Sequence, residues 1–180
     1  MNSIYETITC VVETINQQGI EALLIGGFAV NYYGYTRNTL DVDFMFAVND
    51  AERLCDAMRV AGFTNIDRQD MAIFFNQPDS SFRVDFLQVE DETMRQLISR
   101  SIDADFHGIQ LKLPALNDLL AMKLFALKSN RAKRIHKDLP DIANLVAVNQ
   151  LDLEVELRPL CITFADEHIF QEVVNEISRN

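Results

Sequence analysis

The chain has 180 residues, of which 48% are hydrophobic and 24% charged, enough apolar material for one ordinary core or one domain with a small helical appendage. A net charge of -11 excludes a protein that coats nucleic acid through bulk positive potential. No apolar run approaches the roughly 20 residues needed to cross a bilayer. The first ten residues lack the basic region and apolar stretch of a signal peptide. Cys10, Cys55 and Cys161 lack metal-ligand spacing and fit a reduced, cytoplasmic setting.

In chain order, Ser3 and Glu6 form a capping-box pattern that predicts a helix to about Gln18, stopped by Gly19. Residues 20–25 read as a short strand running into Gly26-Gly27, and residues 28–33 as a short helix closed by Gly34. After a loop over 35–39 comes a strand that carries Asp41 and Asp43 and ends near Val48. Asn49 or Asp50 then caps a helix over 51–61. Residues 63–66, 71–76 and 82–89 read as strands; the last alternates, with Phe82, Val84 and Phe86 on one face and Arg83, Asp85 and Leu87 on the other. Asp91 opens a helix to about Arg100, and His107-Gly108 is a turn before a strand over 109–113. From there the pattern becomes helical, with helices over 117–128, 139–148 and 166–177. The expected fold is α+β: a mixed sheet flanked by helices over residues 1–115, with a C-terminal helical segment over 116–180 packed on that core.

Asp41 and Asp43 are the most informative pair. Residues i and i+2 of a strand share a face, so the two carboxylates lie side by side while Val42 turns into the core. Such neighbours repel unless a hard cation lies between them. Upstream, glycines between a strand and a helix start let backbone N–H groups approach phosphate oxygens. Arg37 and Thr39 could add a charge and a hydroxyl. Asp85 is the natural third carboxylate, the one acid within an apolar, alternating strand; the plainer reading makes it an edge-strand surface acid. Together these residues suit a two-metal scheme on a nucleoside triphosphate.

A second cluster follows. Between Lys123 and Lys137 the chain carries Lys128, Arg131, Lys133, Arg134 and His136 as well, and no acid. This is either an anion site or a solvated helix end. Lys123 sits among apolar neighbours, where phosphate contact and snorkelling to solvent are both open. Asp138 and Asp141 share a helical face, and Asp138 could equally cap a helix starting near Leu139. His107 and His168 read as a turn residue and a surface residue.

The run G-G-F-A-V-x-x-Y-G-Y-x-R-x-T-x-D-V-D, with thirteen residues between Gly27 and Asp41, resembles the signature of the DNA-polymerase-β-like nucleotidyltransferase superfamily. Within it the run resembles the minimal bacterial branch, which includes abortive-infection toxins and small antibiotic nucleotidyltransferases. Residues 119–145, LLAMKLFALKSNRAKRIHKDLPDIANL, resemble the block that follows the core in the toxin-like enzymes. The resemblance implies a nucleotidyltransferase with two Mg²⁺ ions on Asp41, Asp43 and Asp85, and a nucleoside triphosphate such as ATP near Gly26, Gly27, Arg37, Thr39 and Lys123. It also places Lys123 on phosphate and makes Asp138 a base or orienting acid. Gly27 stands where many members have Ser, which leaves phosphate binding to the backbone. The acceptor hydroxyl is open among an RNA end, a protein and a small molecule, and an antitoxin-like partner is implied. The alternative is a catalytically weak domain of the same fold that binds nucleotide or a partner protein.

Overall fold

A computed structural model describes residues 3–77 and 82–179. The chain divides into two compact units, one of residues 1–29 and 38–115, the other of residues 30–37 and 116–180. The division moves residues 30–37, expected with the α/β core, into the helical unit.

The first unit opens with α1 (Ile4–Gln17), capped as expected: Ser3 Oγ accepts from the Glu6 amide while the Glu6 carboxylate accepts from the Ser3 amide. Strand β1 (Ala22–Leu24) is shorter than expected, and helix α2 (Gly26–Tyr32) begins two residues early, so both glycines lie in its first turn. Then come β2 (Val42–Ala47), a single 3₁₀ turn, α3 (Ala51–Val60), β3 (Asn65–Gln69), β4 (Ala72–Asn76), β5 (Arg83–Val89) and α4 (Asp91–Arg100). Asp50 occupies the position before α3, yet its side chain takes Arg53 rather than a backbone amide. The hairpin of β6 (Ile102–Phe106) and β7 (Ile109–Leu113) closes the unit. Strand β6 escaped the sequence reading because its outward Asp103 and Asp105 interrupt the apolar run. His107 and Gly108 form its turn, both with positive φ (56° and 87°), and Asp105 accepts from the Gly108 amide.

Five strands make one sheet in the order β1-β2-β5-β4-β3, in which β2 and β5 run parallel and the other neighbours antiparallel. In the β2–β5 register Phe44 faces Phe86 and Asp43 faces Asp85. Alternation therefore separates an aromatic face from an acidic one. On the aromatic face Phe86 stacks on Phe44 at 5.1 Å and meets Phe46 and Phe75 edge-on at 5.6 Å each; Phe63 joins through Phe75. All five rings are fully buried. Phe28 packs in the interior, edge-on to Phe106 at 5.4 Å.

The second unit consists of α5 (Leu116–Ser129), α6 (Arg131–Val148), one π-helical turn over Leu153–Leu157, α7 (Arg158–Phe164) and α8 (Glu167–Ile177). Helix α5 packs on α6 and α7, and α8 on α6 and α7. Helix α6 starts eight residues before the expected start at 139, continuing through Pro140. Asp138 therefore lies inside a helix and does not cap one. Proline removes one helical donor and normally argues for a boundary, but here buried Ile142, Leu145 and Val146 hold the continuous helix in place. Residues 30–37 join this unit through contacts that include the following. Asn149 Nδ2 donates to the Tyr33 carbonyl at 3.0 Å, Gly34 lies against Val148, and Arg37 reaches Asp141. Among the described residues no helix is long and apolar enough to cross a membrane.

Because Phe86 joins three of the other four rings, Phe86→Ala should lower the stability of the α/β unit by about 3–5 kcal/mol, and Phe86→Leu by clearly less. The urea midpoint checks this, and a loss no larger for Ala than for Leu would show that the ring cluster is not the core.

Candidate active site

The acidic face of the sheet is built by strand register. Asp85 is 6% exposed on a central strand, which removes the edge-strand reading. Asp43 is its direct partner on β2, and Asp41, just before that strand, follows the same alternation. Parallel neighbours lie about 4.8 Å apart across a sheet, so carboxylates at paired positions carry strong mutual repulsion. A guanidinium relieves it. Arg83, two residues before Asp85 and on the same face, donates Nε and Nη2 to the two Asp85 oxygens, each at 2.6 Å. The same guanidinium lies over the ring of Phe74 at 4.9 Å from its centroid, and Phe74 is the β4 partner of Asp85. The hydrogen bond to Asp85, opposed by burial and aided by the charges of Asp85, Asp41 and Asp43, holds Arg83 above the ordinary arginine range. Among the described residues no three acidic, cysteine or histidine side chains are gathered as a ready-made metal cage.

Gly26 closes the other side of the row. The Ile25 amide donates to the Asp43 carbonyl at 2.8 Å, extending the β1–β2 ladder to the residue before the glycine. Gly26 then turns with φ +63°, and a β-carbon there would lie 2.0 Å from Asp43 Oδ2. Backbone conformation and space both demand glycine. With Gly27 it fills the first turn of α2, where amides have no helical acceptor. The Thr39 hydroxyl donates to the Asp41 carbonyl at 3.3 Å.

The helical unit holds a second ionic cluster. Lys123 on α5 is 6% exposed, and Nζ donates to Asp138 Oδ1 at 2.9 Å and Asp141 Oδ2 at 2.6 Å. It does not snorkel to solvent. Arg37 grips Asp141 with Nε at 2.6 Å and Nη2 at 2.9 Å. Burial works against the Arg37 charge, but the hydrogen bond and charge of Asp141, with the charge of Asp138, outweigh it and hold the group above its ordinary range. Two cations and two anions thus balance in a low-dielectric interior, the condition under which buried charge is tolerated. Asp138 Oδ2 is buried with no hydrogen-bond partner, and Arg134 Nη1 stands off at 3.6 Å. Asn31 braces the loop that carries Arg37: its side-chain amide accepts from the Arg37 N–H at 3.0 Å and donates to the Arg37 carbonyl at 2.9 Å.

The expected site residues therefore fall in two groups. Asp41, Asp43, Asp85, Gly26, Gly27 and Thr39 belong to the α/β unit; Lys123, Asp138 and Arg37 belong to the helical unit. The Arg37 guanidinium, read from the sequence as a charge for phosphate, is engaged by Asp141. Arg83 and Phe74 were missed, although the i, i+2 relation of Arg83 to Asp85 was visible. Asp141 was noticed only as a neighbour of Asp138; a second acid beside Ile142 and Ala143 was the signal that a buried cation faced it. His136 is exposed on α6, as are Lys133 and Lys137.

Removing one partner of a balanced buried network leaves a naked charge. Asp141→Ala should cost the helical unit about 3–5 kcal/mol. Arg37→Gln should cost less, because its side chain is 19% exposed and water can partly replace it. Chemical denaturation followed by circular dichroism tests the order; no loss for Arg37→Gln would mean that Asp141 is held by Lys123 alone.

Comparison with known proteins bears on the fold and the family. Residues 13–177 match the family model described as nucleotidyl transferase AbiEii toxin, type IV toxin–antitoxin system. No curated protein matches the chain. Among solved structures, the antibiotic-resistance factor ANT(2″)-Ia superposes with TM-score 0.59 at 13% identity, covering 96% of this chain and 90% of its own. The lincosamide antibiotic adenylyltransferase LnuA, bound to lincomycin, gives TM-score 0.59 at 13% identity over 82% of this chain and 99% of its own. A nucleotidyltransferase-like protein from Paracoccidioides brasiliensis gives 0.58 at 15% identity, covering 96% of this chain and 91% of its own. At these identities the structures establish a shared nucleotidyltransferase fold. The family match spans nearly the whole sequence: the chain belongs to the AbiEii nucleotidyltransferase toxin family.

Proposed function

We propose that the chain is a Mg²⁺-dependent enzyme that moves the NMP group of a nucleoside triphosphate to a hydroxyl acceptor. The observation that carries this reading is the pairing of Asp43 with Asp85 across parallel strands, with Gly26 pressed on the Asp43 carboxylate. A row of anionic oxygens suits a hard divalent cation, and Asp41, Asp43 and Asp85 would hold two such ions. When bound, magnesium supplies neutralisation of the triphosphate charge and a lowered pKa for a coordinated hydroxyl.

The chain's own residues do the rest. Gly26 fixes the position of Asp43, and Gly26 and Gly27 offer backbone amides to phosphate oxygens. The Thr39 hydroxyl adds a further polar contact. Lys123 is assigned to phosphate, and Asp138 to the acceptor's proton, for which its unpartnered Oδ2 is the available lone pair. Arg37 serves by holding Asp141 beside Lys123 rather than by meeting phosphate directly. The acceptor oxygen attacks the α-phosphorus, the bond to the bridging oxygen breaks, and pyrophosphate leaves. ATP is the first donor to test, because LnuA is described as an adenylyltransferase. The acceptor is an RNA end, a protein side chain or a small molecule, and a type IV antitoxin is the partner that family membership suggests. The proposed setting is the cytoplasm.

The bidentate hold of Arg83 on Asp85 favours one second reading, a domain that binds nucleotide with little turnover. Pyrophosphate release with a panel of acceptors separates the two. Asp41→Asn and Asp43→Asn should each reduce turnover by at least about a thousandfold, the scale lost with a main electrostatic element of a site, while circular dichroism stays unchanged. Full turnover in both variants would sink the metal assignment. Wild-type protein should also melt higher with Mg²⁺ and ATP together than with either alone; no shift with any triphosphate would count against both readings. Gly26→Ala should lose activity as fully as the aspartate variants, since the new methyl group displaces the Asp43 carboxylate.

A further inference from the structure

We propose that Arg83 is a built-in counter-cation of the carboxylate row, competing with divalent metal for Asp85 and thereby setting the metal affinity of the site. The inference rests on the metal reading above and adds a residue that no part of the family signature assigns.

Three observations carry it. First, the Arg83 fork uses both Asp85 oxygens at 2.6 Å, so Asp85 has no oxygen facing the row that is not already bonded to a guanidinium. A carboxylate gripped in this way has a lone pair of each oxygen committed, and a metal binding to the rest does so against the guanidinium's positive charge. Second, the asymmetry of exposure says which partner moves: the Asp85 side chain is 9% exposed and that of Arg83 47%. Asp85 is fixed in the sheet, and the long arginine stem is free to swing. Third, Phe74 gives the guanidinium a second foothold apart from Asp85, its ring centroid 4.9 Å from the guanidinium carbon.

The electrostatic consequence follows directly. With Arg83 present, the three carboxylates and one guanidinium sum to two negative charges; without it the row carries three. The unrelieved row attracts a divalent cation more strongly, with no guanidinium competing for the Asp85 oxygens. Lysine at this position keeps a charge but not the planar two-pronged grip, so it falls between the two.

The test is direct metal binding, read without nucleotide and without turnover. Mn²⁺ is titrated into the full-length protein and free Mn²⁺ is followed by its electron paramagnetic resonance signal. Arg83→Gln should bind Mn²⁺ about tenfold or more tightly than wild type, the smallest step a single nearby charge is expected to give. Arg83→Lys should be intermediate, and adding Asp85→Asn to Arg83→Gln should erase the gain. If either arginine variant folds and binds Mn²⁺ no more tightly than wild type while Asp85→Asn weakens binding, the competition is overturned and the metal reading stands. If Asp43→Asn and Asp85→Asn both leave wild-type Mn²⁺ binding unchanged, the metal reading itself fails, and the role of Arg83 with it.

Discussion

The parallel pairing of β2 with β5 is the constraint on which the α/β unit depends. One register sets two faces at once: it stacks Phe44 on Phe86 and sets Asp43 opposite Asp85. A slip by one residue would send the acids into the aromatic core and the rings into water, since side chains alternate with a period of two. The phenylalanine cluster thus does more than hold the sheet together. Its burial fixes the register, and the register fixes the spacing of the carboxylates. Hydrophobic packing on one face sets the electrostatics on the other.

Charge is handled by the same rule in each unit. In the α/β unit the acid row is partly neutralised by Arg83, anchored to Phe74. In the helical unit Lys123 and Arg37 balance Asp138 and Asp141. Both clusters join residues with an arginine fork on one carboxylate, a geometry that orders two side chains through two parallel bonds. They differ in solvent access. The helical cluster is closed and nearly neutral, while the sheet cluster retains net negative charge beside a half-exposed arginine. The closed cluster is shielded from water, while the sheet cluster keeps one side chain in it.

Much of this was legible in the sequence, and for identifiable reasons. Asp41, Asp43 and Asp85 were accessible because strand periodicity alone brings i, i+2 acids and a neighbouring alternating strand to one face. The family was legible because glycines, arginine, threonine and acids recur in one order over a short run, and the toxin-family match agrees with that reading. What escaped depended on partners far away along the chain. Arg37 and Asp141 are 104 positions apart, and no local pattern says that one will grip the other. The early start of α6 was hidden by Pro140 and by a dense run of cations, both of which mimic a loop. Helix α7 was hidden behind Pro159 and the acid-rich π turn before it. Local physics wrote the sheet and its acids; tertiary packing decided the helical cluster.

The brace of Asn31 on Arg37 has a thermodynamic side. Residues 35–40 carry no regular secondary structure, yet the asparagine amide bonds both backbone groups of Arg37, as a neighbouring strand would. Freezing one residue's backbone costs about 1–2 kcal/mol. A loop already held on both its N–H and its carbonyl has met that cost during folding. The segment is therefore ordered in the free protein, and any group that binds beside it spends less of its binding energy on ordering the chain.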